Sequence, residues 1–93
     1  MMDLHGKRVL VVGLARTGIA TAKFLKARGS LVTTTEVQPK EAMKEAVKEL
    51  KGIGISMEWG GHQIETFLNQ DIIVVSPGVD LNIHPIQNAM EQG

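Results

Sequence analysis

Apolar positions along the chain form short continuous runs that alternate with longer, helically spaced stripes. The runs predict four strands, at 7–12, 31–36, 55–58 and 71–75. The stripes predict helices at 17–28, 41–50 and 85–92, with a short helix or turn at 62–68. Strands that alternate with helices are typical of parallel sheets with right-handed crossovers. We therefore predict an α/β fold, a Rossmann-like doubly wound parallel sheet of about four strands in the order 3-2-1-4, with helices on both faces.

The apolar stripes also predict which helix faces are buried. In the first helix, Ala20, Phe24 and Ala27 recur at spacings of four and three, so they are expected to share the buried face. Gly29 follows this helix and fits the left-handed position that commonly ends one. The second helix has a comparable stripe, which consists of Met43, Ala46, Val47 and Leu50.

The size, charge and cysteine content of the chain exclude several kinds of function. The 93 residues suit one domain, and ten basic against ten acidic side chains give a formal net charge of zero. This balance argues against nucleic acid and membrane surfaces as partners, because both attract basic proteins. The absence of cysteine excludes disulfides, thiolate nucleophiles and cysteine-based zinc sites. No signal-peptide or membrane-spanning run is present, so we expect a cytoplasmic protein.

The chain stops where a fifth strand would be expected to begin. We therefore interpret residues 1–93 as one substrate-binding domain, the N-terminal part of a longer multidomain protein. The alternative is a complete four-stranded domain.

The strongest candidate for a binding site is the turn after the first strand. A buried strand that ends in a glycine-rich turn and leads into a helix can hold a phosphate, since the helix start offers unpaired N–H groups and a positive dipole end. The pattern here is G-x-A-x-x-G instead of G-x-G-x-x-G, which weakens the case for a nicotinamide dinucleotide. The alternative is a turn that serves only the geometry of the chain. The candidate binding residues are Gly13, Leu14, Ala15, Arg16, Thr17 and Gly18.

Two further segments are expected beside this turn. Glu36 ends the second strand, where an acid commonly accepts hydrogen bonds from a ribose or a base, and Val37 and Gln38 follow it. Ser76, Pro77 and Gly78 follow the fourth strand. With strand order 3-2-1-4, the loops after strands one and four face each other across one crevice. For each segment, an exposed strand end or a plain connecting turn is the simpler interpretation.

Catalytic machinery is not evident in the sequence. The three histidines, His5, His62 and His84, lack the spacing of metal ligands. No nucleophile–base pair or carboxylate pair stands out. The sequence thus predicts a binding site without catalytic or metal-binding residues.

Three segments together resemble a known family. GKRVLVVGLARTG at 6–18, FLKARG at 24–29 and DIIVVSPGV at 71–79 are similar to the N-terminal domain of the Mur ligases, and within them to the D-glutamate-adding members. The resemblance covers essentially the whole chain. Family members often have glycine at the position of Ala15 and a run like Asp-Thr-Arg at 36–38, so the stacking arginine of that run is absent here.

The resemblance implies a function for the parent protein. These ligases are cytoplasmic enzymes of peptidoglycan synthesis that use ATP and Mg²⁺ to activate UDP-N-acetylmuramoyl-L-alanine as an acyl phosphate, which D-glutamate then attacks. Their first domain holds the UDP moiety, and other domains bind ATP and the amino acid. By position, the backbone around Arg16 and Thr17 would meet the diphosphate, 36–38 the uracil, and 76–78 the other side of the ligand. No cofactor is expected in this domain itself.

Two other functions remain open on the residues alone. One is an NAD(P)-binding domain of a dehydrogenase or of a ligand-sensing regulator, which Glu36 favours and Ala15 opposes. The other is an α/β module that binds a partner and whose glycines are only structural. A single nucleotide diphosphate needs one half of a doubly wound fold, whereas a dinucleotide needs two halves.

Overall fold

A computed structural model of the chain describes residues 4–76. Its strands are β1 (Arg8–Val12), β2 (Leu31–Glu36), β3 (Ser56–Trp59) and β4 (Ile72–Val75). Its helices are α1 (Arg16–Ala27), α2 (Lys44–Gly52) and α3 (Ile64–Leu68), and a short 3₁₀ helix, Lys40–Met43, precedes α2. The predicted elements in this part of the chain are confirmed to within a few residues. The helix predicted at 85–92 lies outside the described residues.

The four strands form one parallel sheet in the order β3-β2-β1-β4. The central strand β1 is buried from Val9 to Val12, as expected for a parallel strand covered on both faces. The strand order reverses at β1, because β2 and β3 lie to one side of it and β4 to the other. This arrangement confirms the doubly wound, Rossmann-like fold and puts the carboxyl ends of β1 and β4 side by side.

Alternate residues of β1 pack into two separate cores. Val9 and Val11 pack on one face of the sheet with residues of α1 and α2, among them Ala22 and Leu50. Leu10 and Val12 pack on the other face with Phe67 of α3, which is fully buried. Helices therefore cover both faces of the sheet.

The buried face of α1 differs from the prediction. Ala20, Phe24 and Ala27 are exposed, whereas Gly18, Ala22 and Leu25 are buried. Both sets have spacings of four and three, so periodicity alone does not choose between them. Phe24 is half exposed, and the Arg28 guanidinium covers part of its ring, 4.8 Å from the centroid.

The amino ends of β1 and β4 are joined by a polar cluster. The Asp71 carboxylate accepts hydrogen bonds from the Arg8 backbone N–H (2.8 Å) and from the Arg8 guanidinium (3.2 and 3.3 Å). The Asp71 backbone N–H donates in turn to the Arg8 carbonyl at 2.8 Å. These bonds fix the start of β4 beside β1, and thereby the alignment of their far ends.

Candidate functional site

The turn between β1 and α1 depends on two glycines. Gly13 has φ of 93°, a conformation that favours glycine, and its N–H donates to the Thr35 carbonyl at 2.9 Å. A Cβ at Gly18 would overlap the Gly13 carbonyl oxygen and lie 2.8 Å from the Ser76 hydroxyl oxygen. Gly18 therefore lets the first turn of α1 pack directly against the loop.

The start of α1 offers free backbone donors. Ala15 is the N-cap residue, in an extended conformation, and no side chain caps the helix. Among residues 4–76, no acceptor meets the backbone N–H groups of Arg16, Thr17 and Gly18. Ala15, Arg16 and Thr17 are exposed, so an anion can reach this end of the helix, where donors and dipole both favour it.

Ser76 connects the two strand ends that the sequence predicted to be neighbours. Its backbone N–H donates to the Val12 carbonyl and its hydroxyl donates to the Gly13 carbonyl, both at 3.0 Å. The side chain is buried, so the hydroxyl proton serves the protein instead of a ligand. Pro77 and Gly78, also predicted to line the site, lie outside the described residues.

Glu36 lies at the carboxyl end of β2 and is buried, with 8% of its surface exposed. One carboxylate oxygen accepts from the Leu14 backbone N–H at 2.8 Å, and the other accepts from the Gln38 backbone N–H at 2.9 Å. The structure thus brings Glu36 to the glycine turn, as the sequence indicated. Both carboxylate oxygens already have partners within the protein.

Val37 and Gln38 are exposed beside this carboxylate. Val37 keeps 58% of its surface accessible. Exposure leaves both side chains available to a ligand. Whether they meet a base stays a prediction.

Sequence reasoning missed a polar group on the other side of β2. Thr35 is fully buried; its hydroxyl lies 2.7 Å from His62 Nδ1 and 3.3 Å from the Gly61 carbonyl. Burial lowers the pKa of His62 below its usual value, against the opposing effect of the Glu36 and Glu58 carboxylates. Nothing in the spacing of His62 signalled this pairing, which depends on the turn after β3.

A groove of about 900 Å³ between α1 and the start of α2 was also not predicted. Leu14, Ala15 and Arg16 form one end of it, so it opens next to the free N–H groups. The rest of its lining mixes apolar residues with charged ones, among them Ala20, Lys23, Glu41, Ala42 and Glu45. The groove was not predicted because Ala20, which lines it, was expected on the buried face of α1.

Two kinds of feature are absent from residues 4–76. That part of the chain holds no group of three or more side chains suited to a metal ion. None of its helices has the length and apolar character needed to cross a bilayer.

Comparison with known proteins identifies relatives over nearly the whole chain. A family model described as "Mur ligase MurD-like, N-terminal domain" matches residues 7–93. The UDP-N-acetylmuramoylalanine–D-glutamate ligase of Geotalea daltonii is 44% identical over 91 residues, which are 98% of this chain and 20% of that protein. The corresponding ligase of Acidobacterium capsulatum is 49% identical over 81 residues, 87% of this chain and 18% of that protein. The chain thus spans about one fifth of these relatives.

Solved structures with the same fold include enzymes of other families. Dipicolinate synthase A chain from Bacillus subtilis has a TM-score of 0.72 at 23% identity, covering 94% of this chain and 28% of its own. The precorrin-2 dehydrogenase SirC has a TM-score of 0.64 at 25% identity, covering 98% of this chain and 41% of its own. These likenesses support the Rossmann-like fold.

Proposed function

Because the chain belongs to the MurD-like N-terminal domain family of Mur ligases, we propose that it holds the UDP moiety of UDP-N-acetylmuramoyl-L-alanine for the addition of D-glutamate. The parent ligase would form an amide bond in peptidoglycan synthesis. Within that ligase, these 93 residues would bind substrate and do no chemistry.

The observation that carries this proposal is the exposed start of α1. Three consecutive backbone N–H groups, from Arg16 to Gly18, lack an acceptor among residues 4–76. The positive end of the helix dipole and the neighbouring Arg16 side chain both favour a diphosphate there. Since each helix end contributes only about 0.3–2 kcal/mol, the isolated domain binds UDP weakly.

The uracil belongs at the end of β2 in this proposal. Val37 and Gln38 are exposed there, one strand away from the glycine turn. The Gln38 side chain has both donors and an acceptor, which suits the imide edge of a uracil. Pro77 and Gly78 would line the opposite side, next to Ser76, whose hydroxyl already donates to the Gly13 carbonyl.

The remaining parts of the reaction are proposed for other domains of the same polypeptide. The sequence has no match to the family's ATP loop, so ATP and Mg²⁺ would be held outside residues 1–93. The parent ligase would work in the cytoplasm, as the family resemblance implies. Neither nucleic acid nor a membrane is expected as a partner.

A second candidate is an NAD(P)-binding domain. The likeness to a dehydrogenase, SirC, favours it at the level of the fold. The Ala15 methyl group in the glycine turn opposes it, because the dinucleotide pattern has glycine there so that the backbone can approach the pyrophosphate.

Solution NMR of the ¹⁵N-labelled chain distinguishes the two. We expect UDP at millimolar concentration to shift the amide resonances of residues 13–18 and 36–38, whereas NADH at the same concentration leaves them in place. Uridine, which lacks the phosphates, is the matched ligand control and should leave 13–18 unmoved. Selective shifts with NADH would favour the second candidate, and no shift with either nucleotide would contradict both.

A further inference from the structure

We propose that Glu36 is a positioning residue. It orients the backbone of the nucleotide cradle, by which we mean residues 13–18 and 37–38, instead of contacting the nucleotide. This inference rests on the proposed function, since it concerns the same site. The position of Glu36 in the sequence suggests that its carboxylate recognises a ribose or a base. In this proposal the carboxylate holds the protein backbone instead.

The geometry that supports it is the division of the carboxylate between two loops. One oxygen accepts from the Leu14 N–H in the diphosphate turn, and the other accepts from the Gln38 N–H in the segment proposed for the base. A single buried side chain therefore links the two ends of the cradle. The preceding residue, Thr35, adds a second link through its carbonyl, which accepts from the Gly13 N–H.

The direction of these bonds matters for the free donors at the start of α1. The end of β2 accepts the N–H groups of Gly13 and Leu14, the two residues just before the helix cap. With those two residues fixed, the N–H groups of Arg16 and Thr17 keep one orientation before any ligand arrives. A preorganised cradle binds more tightly because less ordering is left for the binding step.

A positioning role and simple charge repulsion predict opposite changes in anion affinity when Glu36 is substituted. A carboxylate beside an anion site repels the anion, so removing its charge alone would strengthen binding. If the carboxylate instead holds the loop, its removal weakens binding in spite of the lost repulsion. Glu41 supplies the comparison, since it is an exposed acid that lines the groove shared with Leu14 and Arg16.

The experiment compares E36Q, E36D and the control E41Q by NMR titration of the 93-residue chain with UDP and with inorganic pyrophosphate. In E36Q the amide nitrogen cannot accept a hydrogen bond, so one of the two backbone N–H groups loses its partner. The lost hydrogen bond is charge-assisted, so we expect E36Q to lower the affinity for both ligands by about fivefold or more. In E36D the shorter side chain reaches one loop, which predicts a smaller loss, and E41Q should bind both ligands as tightly as wild type or more tightly.

Pyrophosphate has neither ribose nor base, so its binding distinguishes a Glu36 that positions the backbone from a Glu36 that contacts the nucleoside. Weaker UDP binding with unchanged pyrophosphate binding in E36Q would overturn the inference and make Glu36 a nucleoside contact. Tighter binding of both ligands, as for E41Q, would reduce its role to charge. Unchanged shifts in the β1 and β4 amides verify that each variant is folded.

A ligand-free measurement keeps the inference apart from the proposed function. Without ligand, the amide protons of Leu14 and Gln38 should exchange with solvent faster in E36Q than in wild type, whereas E41Q should leave both exchange rates unchanged. Unchanged exchange in E36Q would contradict the positioning role even if UDP binds. Faster exchange in E36Q, in a chain that binds no UDP, would contradict the proposed function alone.

Discussion

The Ser76 hydroxyl donates to the Gly13 carbonyl at 3.0 Å, and this bond ties the end of β4 to the turn that follows β1. Gly18 lies against the same two groups, without room for a side chain. The two predicted loops are therefore in direct contact through protein atoms. The exposed side of the turn is at Ala15, Arg16 and Thr17, where we propose that the diphosphate binds.

The packing of Gly18 predicts a loss of stability on substitution. Gly18→Ala puts a methyl group into the Gly13 carbonyl oxygen, which is backbone and cannot swing away, so we expect a loss of about 1–3 kcal/mol in unfolding free energy. Gly52→Ala is the matched control. Nothing lies within 4 Å of its Cβ position, so it should be neutral or stabilising by up to about 1 kcal/mol. Urea denaturation checks both, and equal effects would contradict the packing described.

The backbone donors at the start of α1 can be separated from the Arg16 side chain by two substitutions. Arg16→Ala removes the guanidinium and keeps the N–H, whereas Arg16→Pro removes both. Proline is well tolerated at the first helical position, and Ala15 before it is already extended, at φ −68° and ψ 177°. We expect Arg16→Pro to bind UDP several-fold more weakly than Arg16→Ala, since it has lost one backbone hydrogen bond to the phosphate. Equal affinities by NMR titration would exclude that N–H as a ligand.

The Arg8–Asp71 pair predicts a pH-dependent stability. Hydrogen bonds from the Arg8 side chain and backbone hold the pKa of Asp71 below its ordinary value of 3.8. Its folded pKa is therefore lower than its unfolded one, so the stabilisation is present above pH 3.8 and is lost as the pH falls through the folded value. Asp71→Asn should lower the melting temperature near neutral pH, and the difference from wild type should shrink on acidification. A constant difference down to acidic pH would contradict this linkage.

His62 predicts a second, separate pH effect. Burial lowers its pKa below 6.5, so the folded protein binds this proton less readily than the unfolded chain does. Stability should therefore fall as the pH drops below 6.5 and level off under the folded pKa, and His62→Asn should remove that part of the decline. An NMR titration of the His62 ring checks the midpoint directly. A midpoint above 6.5 would mean that Glu36 and Glu58 outweigh burial.

Much of the fold could be predicted from the sequence, because buried parallel strands and amphipathic helices leave strong local signals. The strand order followed from general rules of connection, and Gly29 was identified as the left-handed residue after α1, with φ of 84°. The buried face of α1 could not be predicted. Gly18 reads as a turn residue in the sequence, and only the contact with Gly13 and Ser76 shows that it belongs to the buried stripe.

The proximity of the candidate residues could be predicted better than their individual contacts. Glu36 and the glycine turn were expected to meet at one edge of the sheet, and they do, with Leu14 N–H 2.8 Å from the carboxylate. The sequence could not show that both carboxylate oxygens are taken by backbone donors, since that depends on the path of residues 36–38. The Thr35–His62 contact was hidden for a similar reason, because a long-range turn brings the two together.

A crystal structure of the chain with UDP would show whether a nucleoside diphosphate binds at the start of α1. We expect a phosphate oxygen about 2.7–3.2 Å from the backbone nitrogen of Arg16 or Thr17, with the uracil beside Val37 and Gln38. A diphosphate bound elsewhere, such as deep in the groove between α1 and α2 or at the amino ends of the strands, would contradict this expectation.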